Sequence, residues 1–152
     1  ALAGMGAPYW DPTARGAIVG LTQGTTRAHL ARAALEAIAF QTADLVNELQ
    51  QAAATSGFDR MRVDGGATAN NFLMQFQADV TGLTIERPVI TESTAFGAAA
   101  LAGLSSGLWS REALVAGRRI DREFRPALGE ADRQAAQARW TSAVERALGW
   151  AR

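Results

Sequence analysis

Apolar residues recur along this chain on two periods, and the switching between them sketches the elements. Leu30, Ala34, Leu35, Ile38, Leu45, Val46 and Leu49 lie on three- and four-residue steps, which predicts one long helix over about residues 27–55. Alanines at 31, 33, 34, 37, 39 and 43 favour that helix and let a neighbour come close. Thr25 or Thr26 is placed to cap its start and Gly57 to end it. Phe72, Leu73, Phe76 and Val80 mark a second helix over about residues 70–81, with Gly82 as its stop. A third, over residues 95–104, is apolar on every side, so it is expected to be buried or packed on a sheet. Trp109 is expected to cover the end of the core. A short helix over 111–116 follows Ser110, and the last, over about 130–149, is the most polar and is expected on the outside.

Between the helices lie extended stretches. Residues 16–21 form an apolar run between glycines, residues 60–64 a second, and residues 83–87 alternate apolar and polar until Pro88 stops them. Residues 118–126 are charged and extended. Residues 1–15 have loop composition, with Tyr9 and Trp10 as an aromatic anchor. Strands alternating with helices predict an α/β fold with crossover connections. Three strands make a narrow sheet, and Ala1-Leu2-Ala3-Gly4 lacks an initiator Met, so the chain reads as part of a longer protein.

Composition narrows the function classes. The 152 residues suit one domain, and 48% of them are apolar, a globular proportion. Lys+Arg and Asp+Glu both number 15, which argues against nucleic acid or an anionic membrane as the main partner. No cysteine is present, so disulfides and thiolate metal sites are excluded. A single histidine, His29, makes a zinc site implausible; near a helix start it reads as neutral and structural. No apolar run reaches the roughly 20 residues that span a bilayer, and no signal peptide is visible, so a cytoplasmic location is the default. Gly4-Met5-Gly6 fails as a dinucleotide fingerprint, because no third glycine and no preceding strand accompany it.

The stretch richest in chemistry is Val63-Asp64-Gly65-Gly66-Ala67-Thr68-Ala69-Asn70. Two adjacent glycines leave backbone without Cβ atoms, and the following helix offers unpaired N–H groups and the positive end of its dipole. That combination suits an anion such as a phosphate. The plain alternative is a tight strand-to-helix turn with no ligand.

Two stretches together resemble the FGGY family of carbohydrate kinases. Gly16-Ala17-Ile18-Val19-Gly20-Leu21 followed by His29-Leu30-Ala31-Arg32-Ala33-Ala34-Leu35-Glu36 is similar to that family's C-terminal signature. Val63-Asp64-Gly65-Gly66 is similar to the adenosine motif of the wider actin-like ATPase superfamily. Within the family the likeness leans to its glycerol-phosphorylating branch, through Gly6-Ala7-Pro8-Tyr9-Trp10-Asp11-Pro12, Asn70-Asn71-Phe72-Leu73-Met74-Gln75-Phe76-Gln77-Ala78-Asp79 and Glu86-Arg87-Pro88.

The resemblance implies a partial ribonuclease-H-like, actin-like domain. Residues 1–126 would be a C-terminal nucleotide-binding lobe, incomplete at its start, and residues 127–152 a helical tail of that domain. It implies ATP and Mg2+ as cofactors, and nucleotide contacts at Gly65, Gly66, Ala67 and Asn70. Asp64 either orders the turn or stands beside the metal-bound phosphate. No Walker loop is present. The general base is implied to sit in a lobe outside this chain, so no catalytic or metal-binding residue is assigned here, and the chain alone is not expected to phosphorylate. A homo-oligomer, dimer or tetramer, is implied, with the exposed side of the long helix as the contact. The alternatives are a sibling kinase of a pentose or other polyol and, from a different class, a non-catalytic interaction module.

Overall fold

The computed structural model describes residues 2–52 and 57–151. One sheet holds three strands in the order β1 (Arg60–Arg62), β2 (Thr84–Pro88) and β3 (Ile120–Phe124). β1 and β2 are parallel, with Met61 beside Ile85, and β2 and β3 are antiparallel, with Ile85 beside Phe124. α1 (Arg27–Ala52) precedes the sheet and α2 (Asn71–Thr81) crosses from β1 to β2. α3 (Ser93–Ser105) and α4 (Arg111–Ala116) lead to β3, and α5 (Glu130–Glu145) closes the chain.

Strand alternation sorts the residues onto two faces. Met61, Ile85 and Phe124 lie side by side on one, where Leu73, Met74 and Ala78 of α2 cover them. Ala39 and Ala43, one turn apart and fully buried, bring α1 down onto α2. Full burial of Ile85 or Phe124 contributes about 1.5–3 kcal/mol each. The opposite face sets Glu86 directly across from Glu123, a like-charge pair that alone destabilises a sheet. Arg60 resolves it, reaching Glu86 at 2.8 Å and Glu123 at 3.1 Å from one nitrogen. Arg118 meets the other Glu86 oxygen at 2.5 Å, so the α4–β3 connection is fastened to β2 through a buried carboxylate. The Arg118 and Arg60 guanidiniums hold that carboxyl at about 2, below its ordinary 4.5.

A second buried carboxylate ties the ends of the chain to α1. Asp44 accepts from Tyr9 Oη at 3.1 Å, Gln137 Nε2 at 2.6 Å and Trp140 Nε1 at 2.7 Å. Trp140 also stacks on Phe40, with centroids 5.3 Å apart. Asp11 accepts from the Gly149 N–H at 2.6 Å, so residues 9–15 and the segment after α5 are knitted together. Burial and the Asp44 charge push the Tyr9 phenol up to about 12.

Several expectations change. Residues 16–21 form no strand: they have no β partner among the described residues, and Ile18 is 66% exposed. The third strand is instead the charged stretch ending at Phe124, which pairs with β2. α3 is not buried: Leu101 is 70% exposed, because little of this chain lies against it. Trp109 packs over Gly103 of α3 rather than over the core. Tyr9 is the aromatic anchor, whereas Trp10 is 74% exposed. β2 runs to Pro88, with a register irregularity there, rather than stopping before it. The expected end of α1 at Thr55 lies outside the described residues. His29 sits in the first turn of α1, where its Nδ1 accepts the Thr26 N–H at 3.1 Å. That is the reciprocal half of a capping box, with imidazole in place of a carboxylate, a structural role for the ring. α2 meets its expected end, with Gly82 left-handed at φ +71°.

Asp44→Ala strips an acceptor from three donors and is expected to cost about 2–3 kcal/mol, read as a lower urea midpoint. Glu86 has its folded pKa lowered, so its contribution is fully present above about 4.5 and is lost as pH falls through about 2. Acid unfolding followed by circular dichroism should show Glu86→Gln losing this part of the low-pH dependence.

Candidate functional site

The Val63 N–H donates to the Glu86 carbonyl at 3.2 Å, carrying the β1 ladder one rung further before the chain turns. Gly65 then adopts φ +84°, ψ 168°, a region that side-chain-bearing residues scarcely enter. Its N–H donates to the Thr91 carbonyl at 2.7 Å. Its own carbonyl accepts twice from Thr68, from the N–H at 3.1 Å and from Oγ1 at 2.7 Å. That double closure winds Gly66–Ala69 into a 3-10 turn, which fills the gap between the glycines and the start of α2 expected near residue 70. Asn70 follows as the N-cap of α2, its Oδ1 accepting the Leu73 N–H at 3.1 Å.

The two glycines have different reasons to be there. Gly65 answers a backbone demand. Gly66 has no positive φ, and a Cβ placed on it meets nothing within 4 Å. Nothing this chain does with Gly66 requires glycine. Gly66, Ala67 and Asn70 are exposed. Among the described residues the N–H groups of Gly66 and Ala67 have no protein acceptor, and the Asn70 Nδ2 has none either. A short exposed stretch therefore carries two free main-chain donors and one free amide, next to the start of a helix. Such a set is suited to phosphate or hydroxyl oxygens and to the edge of a base.

Asp64 is exposed and accepts from Ser93 Oγ at the first residue of α3. That bond ties the turn to α3, which is the ordering alternative of the two that its position allows. The larger groove, about 1090 Å³, opens beside Asp64 and is bordered by Arg62, Phe96, Trp109, Arg118 and Ile120. Gly65, Gly66, Ala67 and Asn70 do not line it, nor do they line the smaller one of about 480 Å³ near Asn47, Phe58 and Arg133. They form a largely exposed surface apart from both grooves. Among the described residues no group of three or more histidine or acidic side chains gathers to hold a metal.

Sequence reading missed the residues that build this corner: Thr68, Ser93 and Arg87. A threonine three residues after a turn glycine is a recognisable local signal for hydroxyl-to-backbone closure. Arg87 carried only a weaker one, a charge at an inward register position of β2.

Residues 1–106 match the family model described as FGGY family of carbohydrate kinases, C-terminal domain. The chain belongs to the FGGY family of carbohydrate kinases. It is 58% identical over 149 residues to a glycerol kinase of Dechloromonas aromatica, which covers 97% of this chain and 30% of the relative. The crystal structure of Plasmodium falciparum glycerol kinase with ADP superposes with a TM-score of 0.86 at 38% identity, covering 97% of this chain and 30% of that one. The ligand-bound xylulose kinase of Lactobacillus acidophilus gives 0.70 at 25% identity, covering 92% of this chain and 28% of that one. The chain thus spans under a third of the length of these relatives.

Gly65→Ala is expected to destabilise by about 1–3 kcal/mol through its backbone angle, and Gly66→Ala to stay within about 0.5 kcal/mol. Urea denaturation of the two variants checks the contrast.

Proposed function

We propose that the protein to which this chain belongs is a glycerol kinase, transferring the γ-phosphoryl of ATP to a primary hydroxyl of glycerol to give sn-glycerol 3-phosphate. The chain's part is one wall of a cleft between two lobes. The observation that carries this reading is Gly66: an exposed glycine for which the described residues give no conformational or steric reason, with free donors on itself, Ala67 and Asn70. Among solved structures, 38% identity to a glycerol kinase against 25% to a xylulose kinase favours glycerol over a pentulose as acceptor.

In this reading Gly66 and Ala67 present their N–H groups to the phosphate and ribose region, with Gly65 shaping the approach. The Asn70 amide faces the adenosine while its oxygen stays committed to α2. These residues bind and orient, which is most of what phosphoryl transfer asks of a protein. Mg2+ bound to the nucleotide supplies charge neutralisation at the transferring phosphate. The residues described here build no cage for the ion, and it is assigned to none of them. No general base is assigned either. Residues 1–126 act as the nucleotide lobe and residues 127–152 as its tail, braced on α1 through Asp44. A homo-oligomer and a cytoplasmic setting for glycerol catabolism go with the same reading; no helix among the described residues is long and apolar enough to cross a membrane.

Asn70→Ser separates binding from folding, because serine keeps an N-cap oxygen and loses the amide. In the intact enzyme it is expected to raise the KM for MgATP roughly fivefold, about 1 kcal/mol, with the KM for glycerol within twofold. Equal shifts in both constants would count against an adenosine role for Asn70.

A further inference from the structure

The corner at Gly66 is held from one side by a residue that the nucleotide reading does not use. Arg87 lies on β2, two residues beyond Ile85 and on the same inward-facing register. Its side chain is only 13% exposed. Arg87 Nη1 donates to the Thr68 carbonyl at 2.8 Å and to Asn71 Oδ1 at 2.9 Å. Its Nε donates to Asp121 Oδ2 of β3 at 2.7 Å, and its guanidinium lies 5.3 Å from the centre of the Phe124 ring.

The two acceptors of Nη1 lie on either side of Asn70. Thr68 sits within the 3-10 turn and is buried, and Asn71 opens α2. Ala69 and Asn70 lie between them, and Gly66 and Ala67 immediately before. One nitrogen therefore fixes the distance from the turn to the helix. Asp121 and Phe124 in turn fix the guanidinium, so the corner is referenced to the sheet rather than left to the loop. A rigid planar fork with several donors suits this task, and a single ammonium does not reproduce it.

We propose that Arg87 is a positioning residue for nucleotide binding, holding the Gly66–Ala67 donors and the Asn70 amide in their binding arrangement through Thr68 and Asn71. This rests on the reading of residues 66–70 as the nucleotide wall. Preordering of donors is an affinity effect: without Arg87 the turn must be ordered at the moment of binding. In the proposed reading this corner meets the nucleotide alone, so the affinity for the acceptor substrate is expected to be unaffected. A merely structural Arg87, fastening β3 to β2, would have a different signature. Loss of that fastening would lower stability alike for Arg87 and Asp121 variants and leave the balance between the two substrates untouched.

The test uses the intact enzyme, with MgATP and glycerol varied independently and melting temperature measured beside them. Arg87→Gln is expected to raise the KM for MgATP about tenfold, with the KM for glycerol within twofold. Arg87→Lys should recover part of the loss, and Asn71→Ala should shift the KM for MgATP about threefold in the same direction. Asp121→Asn should lower the melting temperature with a smaller KM change than either. A folded Arg87→Gln enzyme with an unchanged KM for MgATP, or with both constants raised equally, overturns the proposal. If Arg87→Gln does not fold, Asn71→Ala decides, and an unchanged KM for MgATP there overturns it. Asn70→Ser separates the two levels. If it moves the KM for MgATP while the Arg87 and Asn71 variants do not, only the positioning role fails. If Asn70→Ser also leaves it unmoved, the wall reading fails and takes this inference with it.

Discussion

The carbonyl of Gly65 carries the corner on which the rest depends. It accepts from both the N–H and the hydroxyl of Thr68, and this double closure sets where β1 ends and where α2 can begin. Everything downstream inherits that geometry. α2 leaves the turn at the angle that brings Leu73, Met74 and Ala78 over the sheet. It ends at Gly82, which returns the chain to lie parallel to β1. The same closure turns the polar groups of Thr68 inward, toward Gly65 and Arg87, and leaves Gly66, Ala67 and the Asn70 amide outward. One hydrogen-bonded turn thus serves both the core and the exposed donors.

The parts of the fold legible in the sequence were those decided locally. α2 carries its own start and stop, an asparagine cap and a left-handed glycine, and both are found in place. α1 is found where its period placed it, but of the apolar residues that set the period only Val46 is buried: Leu30, Ile38, Leu45 and Leu49 are exposed, and Ala39, Ala43 and Asp44 share the buried face with Val46. Strands are a property of two segments, so the sequence located extended stretches better than it told which of them would pair. Residues 16–21 have the composition of a strand and no β partner among the described residues. Residues 120–124 have an unpromising charged composition, yet they pair, because Arg60 joins Glu86 to Glu123 and Arg118 closes on Glu86. The exposed apolar surface of α3 has the same origin as the unpaired 16–21 segment. Its side chains were read correctly as apolar, and among the described residues little lies against them.

The site was legible at the level of a motif and not at the level of its construction. The double glycine drew attention as a bare stretch of backbone, but the sequence treats its two members alike. Only the geometry separates them: Gly65 satisfies a backbone angle, and Gly66 is empty space facing outward. Asn70 stood out from its motif, while its second duty as the cap of α2 emerged only with the helix in view. Arg87 carried only a faint signal, because its importance depends on which residues of β3 and α2 the sheet register brings beside it. Asp44 is similar: a carboxylate on a long helix reads as solvent-facing until the two ends of the chain converge on it.

The central claim is that a nucleotide lies against the outward donors of the Gly65–Asn70 corner. The most direct measurement is a crystal structure of the intact enzyme with MgADP. The account predicts nucleotide oxygens within about 3.2 Å of the Gly66 or Ala67 N–H groups and the adenosine beside the Asn70 amide. A nucleotide seated instead in the groove bordered by Arg62, Trp109 and Arg118, with the corner open to solvent, would contradict it.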